Sequence, residues 1–212
     1  MSLPDLGAEF MQLSVQSPAV ALRNILDGVK ARQGSITRHP LGFYSSILSE
    51  HSGQSIRLHL WSDNATWALP QFEIHDHAFD LVSIVLYGRV RDSRYDVHLT
   101  RTETRHQFYD VQYDEGVTTL KPTLQYVSCT PGIKQDISSG STYRVPAGVF
   151  HSSCATDHTG AATLVHTRQV GAISPRVIGP AHDPREIKYF RRSALDDSSR
   201  SALLEEFSLL LD

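Results

Sequence analysis

The sequence is poor in the features that mark several common classes of protein. Its 212 residues include two cysteines, Cys129 and Cys154, which are too few for a disulfide framework and fit a reducing compartment such as the cytoplasm. Lys and Arg total 20 and Asp and Glu total 23, so no broad basic surface for nucleic acid is expected. No apolar run approaches the ~20 residues that cross a bilayer, and the first residues lack the pattern of a signal peptide. We therefore expect a cytoplasmic globular protein without nucleic-acid or membrane partners.

The hydropathy pattern divides the chain into three parts. Residues 1–38 predict an N-terminal helical extension, in which Ser17 and Pro18 form a helix start. Residues 39–192 break into short runs rich in β-branched and aromatic residues, the pattern of an all-β sandwich or barrel. Residues 193–212 predict an amphipathic helix that packs on the barrel or on a partner. The strands predicted are Gly42–Leu48, Ser55–Ser62, Leu81–Tyr87, Arg94–Leu99, Arg105–Tyr113, Leu124–Ser128, Ser141–Val145, Val149–Cys154 and Ala162–Arg168.

Histidine, by contrast, is abundant, with eleven residues, and it is the commonest metal ligand in proteins. His75 and His77 form a His-x-His pair, and residues two apart on a strand point to the same face of a sheet. His151 follows a turn in which Pro146 presets one backbone dihedral and Gly148 permits a positive one. Each piece alone also fits an ordinary β-hairpin, so it is their combination that is informative.

In combination these segments resemble the two motifs of the cupin superfamily. The residues that match are His75, His77 and Gly88 for the first motif, and Gly140, Pro146, Gly148 and His151 for the second. The resemblance covers roughly residues 40–170. It implies an RmlC-like jelly-roll β-barrel, flanked here by the N-terminal and C-terminal helices, with a metal ion held by His75, His77 and His151.

The chain departs from the cupin pattern at the fourth ligand. Most cupins have a glutamate where this sequence has Leu81, which cannot bind a metal. Asp80 is one residue out of step and would reach the ion only if the strand bulged, so we expect it to pair with an arginine instead. Three imidazoles without a carboxylate leave coordination positions open for a substrate and O₂. Fe(II) is the expected ion, and Ni, Zn or Mn are the alternatives.

Three-His iron cupins include the thiol dioxygenases, and the sequence resembles cysteine dioxygenase beyond the motifs. The matching segments are Leu58–Trp61, Ile74–His77 and Leu86–Gly88, and His166 stands at the spacing of a histidine of that family. The resemblance implies a dioxygenase that adds O₂ to a small thiol or a related small anionic substrate. It also implies that His166 faces the site.

The residues that would fix the substrate are those that depart from this family. Arg168 replaces the family's active-site tyrosine, and the family's carboxylate-binding arginine has no counterpart. We expect His166 and Arg168 to be catalytic, and the predicted substrate-binding residues are Arg168, Arg57, His59, Trp61 and Tyr87. The other histidines, His39, His51, His98, His106, His158 and His182, are predicted to lie in loops and at edges.

Two other functions fit the same ligands. A dry cavity lined by Trp61, Phe79 or Tyr87 would favour a three-His dioxygenase that cleaves a C–C bond in a diketone or flavonol-like substrate. A non-redox metal cupin that binds or isomerises a small molecule is the other alternative. The expected partners are a small-molecule substrate and O₂, and a homodimer is reasonable because sheet edges and apolar helices are available.

Overall fold

The computed structural model describes residues 6–62, 65–102, 104–114, 116–171, 174–181 and 187–212. His182 lies outside these ranges. The helices are α1 (Leu6–Ser14), α2 (Pro18–Ala31) and α3 (Asp197–Leu209), and a short 3-10 helix spans Pro70–Phe72. The strands are β1 (Thr37–His39), β2 (Phe43–His51), β3 (Gln54–Trp61), β4 (Phe79–Tyr87), β5 (Arg89–Leu99), β6 (His106–Asp114), β7 (Val117–Ser138), β8 (Thr142–Val145), β9 (His151–Ala155), β10 (Ala161–Gln169), β11 (Arg176–Pro180) and β12 (Lys188–Arg191).

The strands form two antiparallel sheets. The first sheet has the order β1-β2-β3-β10-β4-β8, and the second has the order β11-β6-β7-β5-β9, with β12 paired to β7. Side chains from both sheets line one cavity and share an apolar cluster of Phe43, Trp61, Val85, Val90, Ile137 and Ala161. The prediction of an all-β, barrel-like fold with a few flanking helices is confirmed.

The helices cover the outer face of the first sheet. Strand β3 shows the alternation that makes this possible, because Ile56, Leu58 and Leu60 face the helices and are fully buried, whereas the residues between them face the cavity. The apolar stripes of all three helices join these strand residues in one cluster. One face of the first sheet thus belongs to the hydrophobic core, and the other face is available for a site.

The helix ends follow their sequence signals. Ser17 Oγ accepts a hydrogen bond from the backbone N–H of Val20 at 3.4 Å, and Pro18 is the first residue of α2. Asp196 caps α3 by accepting from the backbone N–H of Ser199 at 2.8 Å, so this helix begins later than residue 193. Within the described ranges, no helix has both the length and the apolar content needed to cross a membrane.

Candidate metal centre

Three histidines converge on one wall of the cavity. One ligating nitrogen from each of His75, His77 and His151 lies within 4.8 Å of the others. The Nε2 atoms of His77 and His151 are 3.1 Å apart, and the ring centroids of His75 and His151 are 4.7 Å apart. Residues far apart in the chain therefore meet as the His-x-His pair and the Pro-x-Gly turn predict.

Backbone pairing sets this geometry. The segment around His75 forms an isolated bridge with His151, through hydrogen bonds of 3.0 and 2.9 Å, and a second bridge with Val177 of β11. The Pro146–Gly148 turn closes with a positive φ of 76° at Gly148, whose N–H donates to the carbonyl of His77 at 2.9 Å. Since the two ligand-bearing segments are hydrogen-bonded to each other, the imidazoles are held in place before any ion binds.

Asp76, which lies between His75 and His77, anchors this segment on the face that points away from the cavity. Its side chain is fully buried and accepts from Arg176 Nη2 at 2.7 Å and Nε at 3.0 Å. Because alternate residues of an extended chain point to opposite faces, anchoring Asp76 in this way turns His75 and His77 together toward the cavity.

Hydrogen bonds to the far side of two rings determine which nitrogen is free. His75 Nδ1 donates to the carbonyl of Glu73 at 2.7 Å, and His151 Nδ1 donates to Asp92 Oδ1 at 2.9 Å. Asp92 is itself held by Arg94, whose Nε donates to Oδ2 at 2.6 Å. With Nδ1 carrying the proton, Nε2 of each ring keeps its lone pair for a metal ion.

Burial keeps the three imidazoles neutral. It lowers the pKa of His75, His77 and His151 below the usual value, and neighbouring imidazoles lower the pKa of His77 and His151 further. Neutral imidazoles, with Nε2 free on His75 and His151, form the donor set that first-row divalent metals such as Fe, Ni and Zn accept. The cluster therefore fits a metal ion.

The cavity beside the cluster is small and rich in aromatic side chains. Its volume is about 370 Å³, at the lower end of the range for small-molecule sites. The ring-bearing residues that line it, besides the three ligands, are His39, Phe43, His59, Trp61, Phe79, Tyr113 and Tyr143. Among the described residues that line it there is no Asp or Glu.

Three of the predicted substrate-binding residues face this cavity. Arg57, His59 and Trp61 project inward from β3, as their shared strand face predicts. His59 lies against Phe43, with the ring centroids 4.5 Å apart. Burial lowers the pKa of His59 to about 3, with smaller contributions from Arg57 and Arg192, so this ring is neutral as well.

Two predicted catalytic residues do not face it. Strand β10 points Thr163, Val165 and Thr167 toward the barrel interior, so His166 lies on the opposite face, beneath the helices. Its ring stacks on that of Phe10, with the centroids 5.6 Å apart, and its Nε2 donates to Gln54 Oε1 at 3.0 Å. Arg168 is exposed and contacts Asp80 at 3.5 Å. The prediction that His166 faces inward is wrong because the strand has the opposite phase, and Arg168, which was predicted to hold the substrate, does not line the cavity.

Tyr87 and Asp80 also lie away from the cavity. A bulge opposite Ala162 turns Tyr87 into the cluster beneath the helices, so this residue, which was predicted to contact the substrate, does not line the cavity. Asp80 accepts from Arg144 Nη2 at 3.0 Å and from the backbone N–H of Ala147 at 3.1 Å, which confirms the expected arginine partner and removes it as a ligand. Leu81, at the glutamate position, lines the cavity.

The structure adds four residues that sequence reasoning missed. His39, expected in a loop, lines the cavity and stacks on Phe43 at 4.2 Å. Tyr143 and Arg192 line it as well, and Asp92 supports His151 from behind. The sequence offers a weak signal for Tyr143, which sits within the motif segment that begins at Gly140, and none that we find for the others.

Comparison with known proteins finds likeness only at the level of shape. No family model and no curated protein matches this sequence. Among solved structures, an RmlC-like cupin from Shewanella frigidimarina shares 14% identity at a TM-score of 0.38, over 66% of this chain and 88% of that one. A variant of oxalate decarboxylase from Bacillus subtilis shares 15% at 0.37, over 64% of this chain and 27% of that one. Hydroxypropylphosphonic acid epoxidase from S. wedmorenis shares 14% at 0.39, over 65% of this chain and 56% of that one. Likeness this distant does not indicate what this chain binds or which reaction it carries out.

Proposed function

We propose that this protein is a mononuclear metal-dependent dioxygenase that acts on a small anionic substrate. The observation that carries the proposal is the set of three neutral imidazoles, His75, His77 and His151, directed at one point beside the cavity, with no carboxylate among them. Such a donor set accepts Fe(II), the ion that the proposed chemistry requires, with Ni, Zn or Mn as alternatives. A bound Fe(II) ion would supply the redox chemistry that brings O₂ and substrate to reaction.

The chain's own residues supply positioning and a dry environment. Arg57 reaches the cavity from β3, where its Nε donates to Ser55 Oγ at 2.9 Å. In the part of the chain that the structure describes, no carboxylate forms an ion pair with Arg57, so its terminal nitrogens can hold an anionic group of the substrate. Phe79, stacked on His77 at 4.5 Å, and Trp61 keep water from the same wall.

The identity of the substrate is a choice between two classes. A small thiol acid would place its sulfur toward the histidines and its carboxylate toward Arg57. The second candidate is a dioxygenase that cleaves a C–C bond in a β-diketone-like substrate. The aromatic lining formed by Trp61, Phe79 and Tyr143 favours it, because such a molecule buries more apolar surface against these rings than a small thiol acid does.

Oxygen consumption tests the proposal and separates the classes. The protein is reconstituted with Fe(II), and O₂ uptake is followed with 3-mercaptopropionate, cysteine, cysteamine, small β-diketones and short dicarboxylates. We expect uptake with at least one of these classes and its loss in His151→Ala, while His98→Ala, which removes an exposed histidine of β5, retains it. Uptake that survives His151→Ala would contradict the proposal, as would tightly bound metal with no uptake for any compound.

A further inference from the structure

A second arginine lines the cavity from the opposite sheet. Arg192 directly follows β12, which pairs with β7, while Arg57 belongs to β3 of the first sheet. The two guanidinium groups thus approach one cavity from separate walls. Both side chains are half-buried.

Arg192 is held in position by uncharged partners. Its Nε donates to Thr118 Oγ1 at 3.2 Å, and its guanidinium carbon lies 5.2 Å from the centre of the Tyr113 ring. Its backbone N–H donates to the carbonyl of Gly116 at 2.9 Å. Throughout the described ranges, no carboxylate forms an ion pair with this guanidinium.

The cavity therefore holds two positive charges without a counter-charge on its described wall. Burial lowers the pKa of Arg57, Glu50 offsets part of this effect, and a smaller repulsion from Arg192 lowers the pKa again. Arg192 also lowers the pKa of His39 and His59, in each case after the larger effect of burial. Two like charges that line one partly enclosed cavity disfavour each other, and a doubly charged anion would relieve this repulsion.

We propose that Arg192 is a second anion-binding residue, and that with Arg57 it selects a small organic dianion such as a dicarboxylate. This inference rests on the proposed function, since it names the substrate class of the same site. Each guanidinium presents a planar set of donors that matches a carboxylate in a forked geometry. A cavity of about 370 Å³ has room for a short dicarboxylate.

Binding to the metal-free protein tests this proposal without requiring turnover. Calorimetry compares succinate with its monoamide succinamate, and glutarate with glutaramate, because each pair has nearly the same size and differs by one charge. We expect the dianion to bind at least about tenfold more tightly than its monoamide at low salt, the effect of one charge-assisted contact. Raising the salt concentration should reduce the difference.

Substitutions identify which residue provides the preference. Arg192→Gln should bring the two affinities of each pair to within about twofold, and Arg192→Lys, which keeps the charge but not the fork, should retain part of the difference. Arg38→Gln is the matched control, because Arg38 also lies 5.2 Å from an aromatic ring centre, that of Trp67, but is exposed and lies outside the cavity.

Equal affinities within each pair, absence of binding by both dianions, or a preference that persists in Arg192→Gln would each overturn this inference. The result is separable from that of the oxygen assay. A preference for dianions without O₂ uptake would support the anion site and contradict the dioxygenase function. O₂ uptake without the preference would contradict only the role proposed for Arg192.

Discussion

Asp92 should control metal affinity although it does not reach the cavity. Its side chain is 2% exposed and accepts two charge-assisted hydrogen bonds, from His151 Nδ1 at 2.9 Å and from Arg94 Nε at 2.6 Å. An asparagine in its place has one acceptor oxygen and one amide N–H₂, so it can satisfy only one of these donors and must present its own donor to the other. In Asp92→Asn, either His151 or Arg94 therefore loses its hydrogen bond to residue 92, and His151 Nδ1 then keeps only the longer contact of 3.4 Å to Ser153 Oγ.

The expected loss follows from what the contact does. Removing the group that orients a metal-binding histidine costs about 10- to 100-fold in metal affinity, or ~1.4–2.8 kcal/mol. Zn²⁺ is a suitable probe because it is not redox-active, and competition with a chelating dye gives its dissociation constant. Circular dichroism at the assay temperature establishes that Asp92→Asn is folded.

A matched control lies on the neighbouring strand. Asp136 also forms a forked ion pair with an arginine, Arg91, at 2.6 and 2.8 Å, but this pair is partly exposed and does not contact the histidines. Asp136→Asn should leave Zn²⁺ affinity unchanged. If both variants bind Zn²⁺ as the wild type does, the orienting role assigned to Asp92 is wrong.

Two further predictions concern stability. The pKa of His59 is about 3 in the folded protein, against an ordinary histidine value of 6.5, so the unfolded chain binds a proton that the folded chain excludes. The contribution of His59 to stability is therefore fully present above pH 6.5 and falls by up to about 1.4 kcal/mol per pH unit on acidification, in addition to the losses from the other buried histidines. Urea unfolding between pH 6 and 4.5 should therefore show a smaller slope of stability against pH for His59→Gln than for the wild type. In the second case, a Cβ at Gly160, where φ is +80°, would collide with the backbone carbonyl of Trp61, so Gly160→Ala should cost roughly 3 kcal/mol or more. Gly148→Ala has a similar φ of +76° but open space around the new methyl group, and should cost about 1 kcal/mol; equal costs by thermal unfolding would refute the collision.

Features that are local in sequence were predictable. Ser17 and Pro18 favour a helix start, and Pro146 and Gly148 favour a turn, through the backbone preferences of these residues alone. The alternation in β3, with every second residue apolar, also gives its inward face correctly. In each case the information lies within a few residues.

The phase of β10 was not predictable in the same way. Leu164 and Val165 are both buried, one under the helices and the other in the barrel, so the strand has no polar face to indicate which side is inside. The spacing between His151 and His166 matches that of the resembled family, but spacing along the chain does not determine to which face of the strand the side chain points. His166 therefore appeared to belong to the site when it belongs to the contact with α1.

Strands β11 and β12 were missed for a related reason. β11 contains a glycine and a proline, and β12 has only four residues with a mixed pattern. Pairing with β6 and β7, rather than local propensity, makes them strands. Since Arg192 follows β12, missing the strand also meant missing the second arginine.

The charge of the cavity predicts how O₂ uptake should rank among the three thiols of the oxygen assay. Neutral imidazoles leave the full charge of a divalent ion in place, and Arg57 and Arg192 add two positive charges on the cavity wall, with no acidic side chain among the described lining residues. An ammonium group entering this space meets repulsion and finds no carboxylate partner. Of the three thiols, 3-mercaptopropionate carries only a carboxylate, cysteine carries both groups and cysteamine carries only the amine. If the thiol class is correct, uptake should fall in that order, and a preference for cysteamine would contradict the electrostatic description of the cavity and the anionic substrate inferred from it.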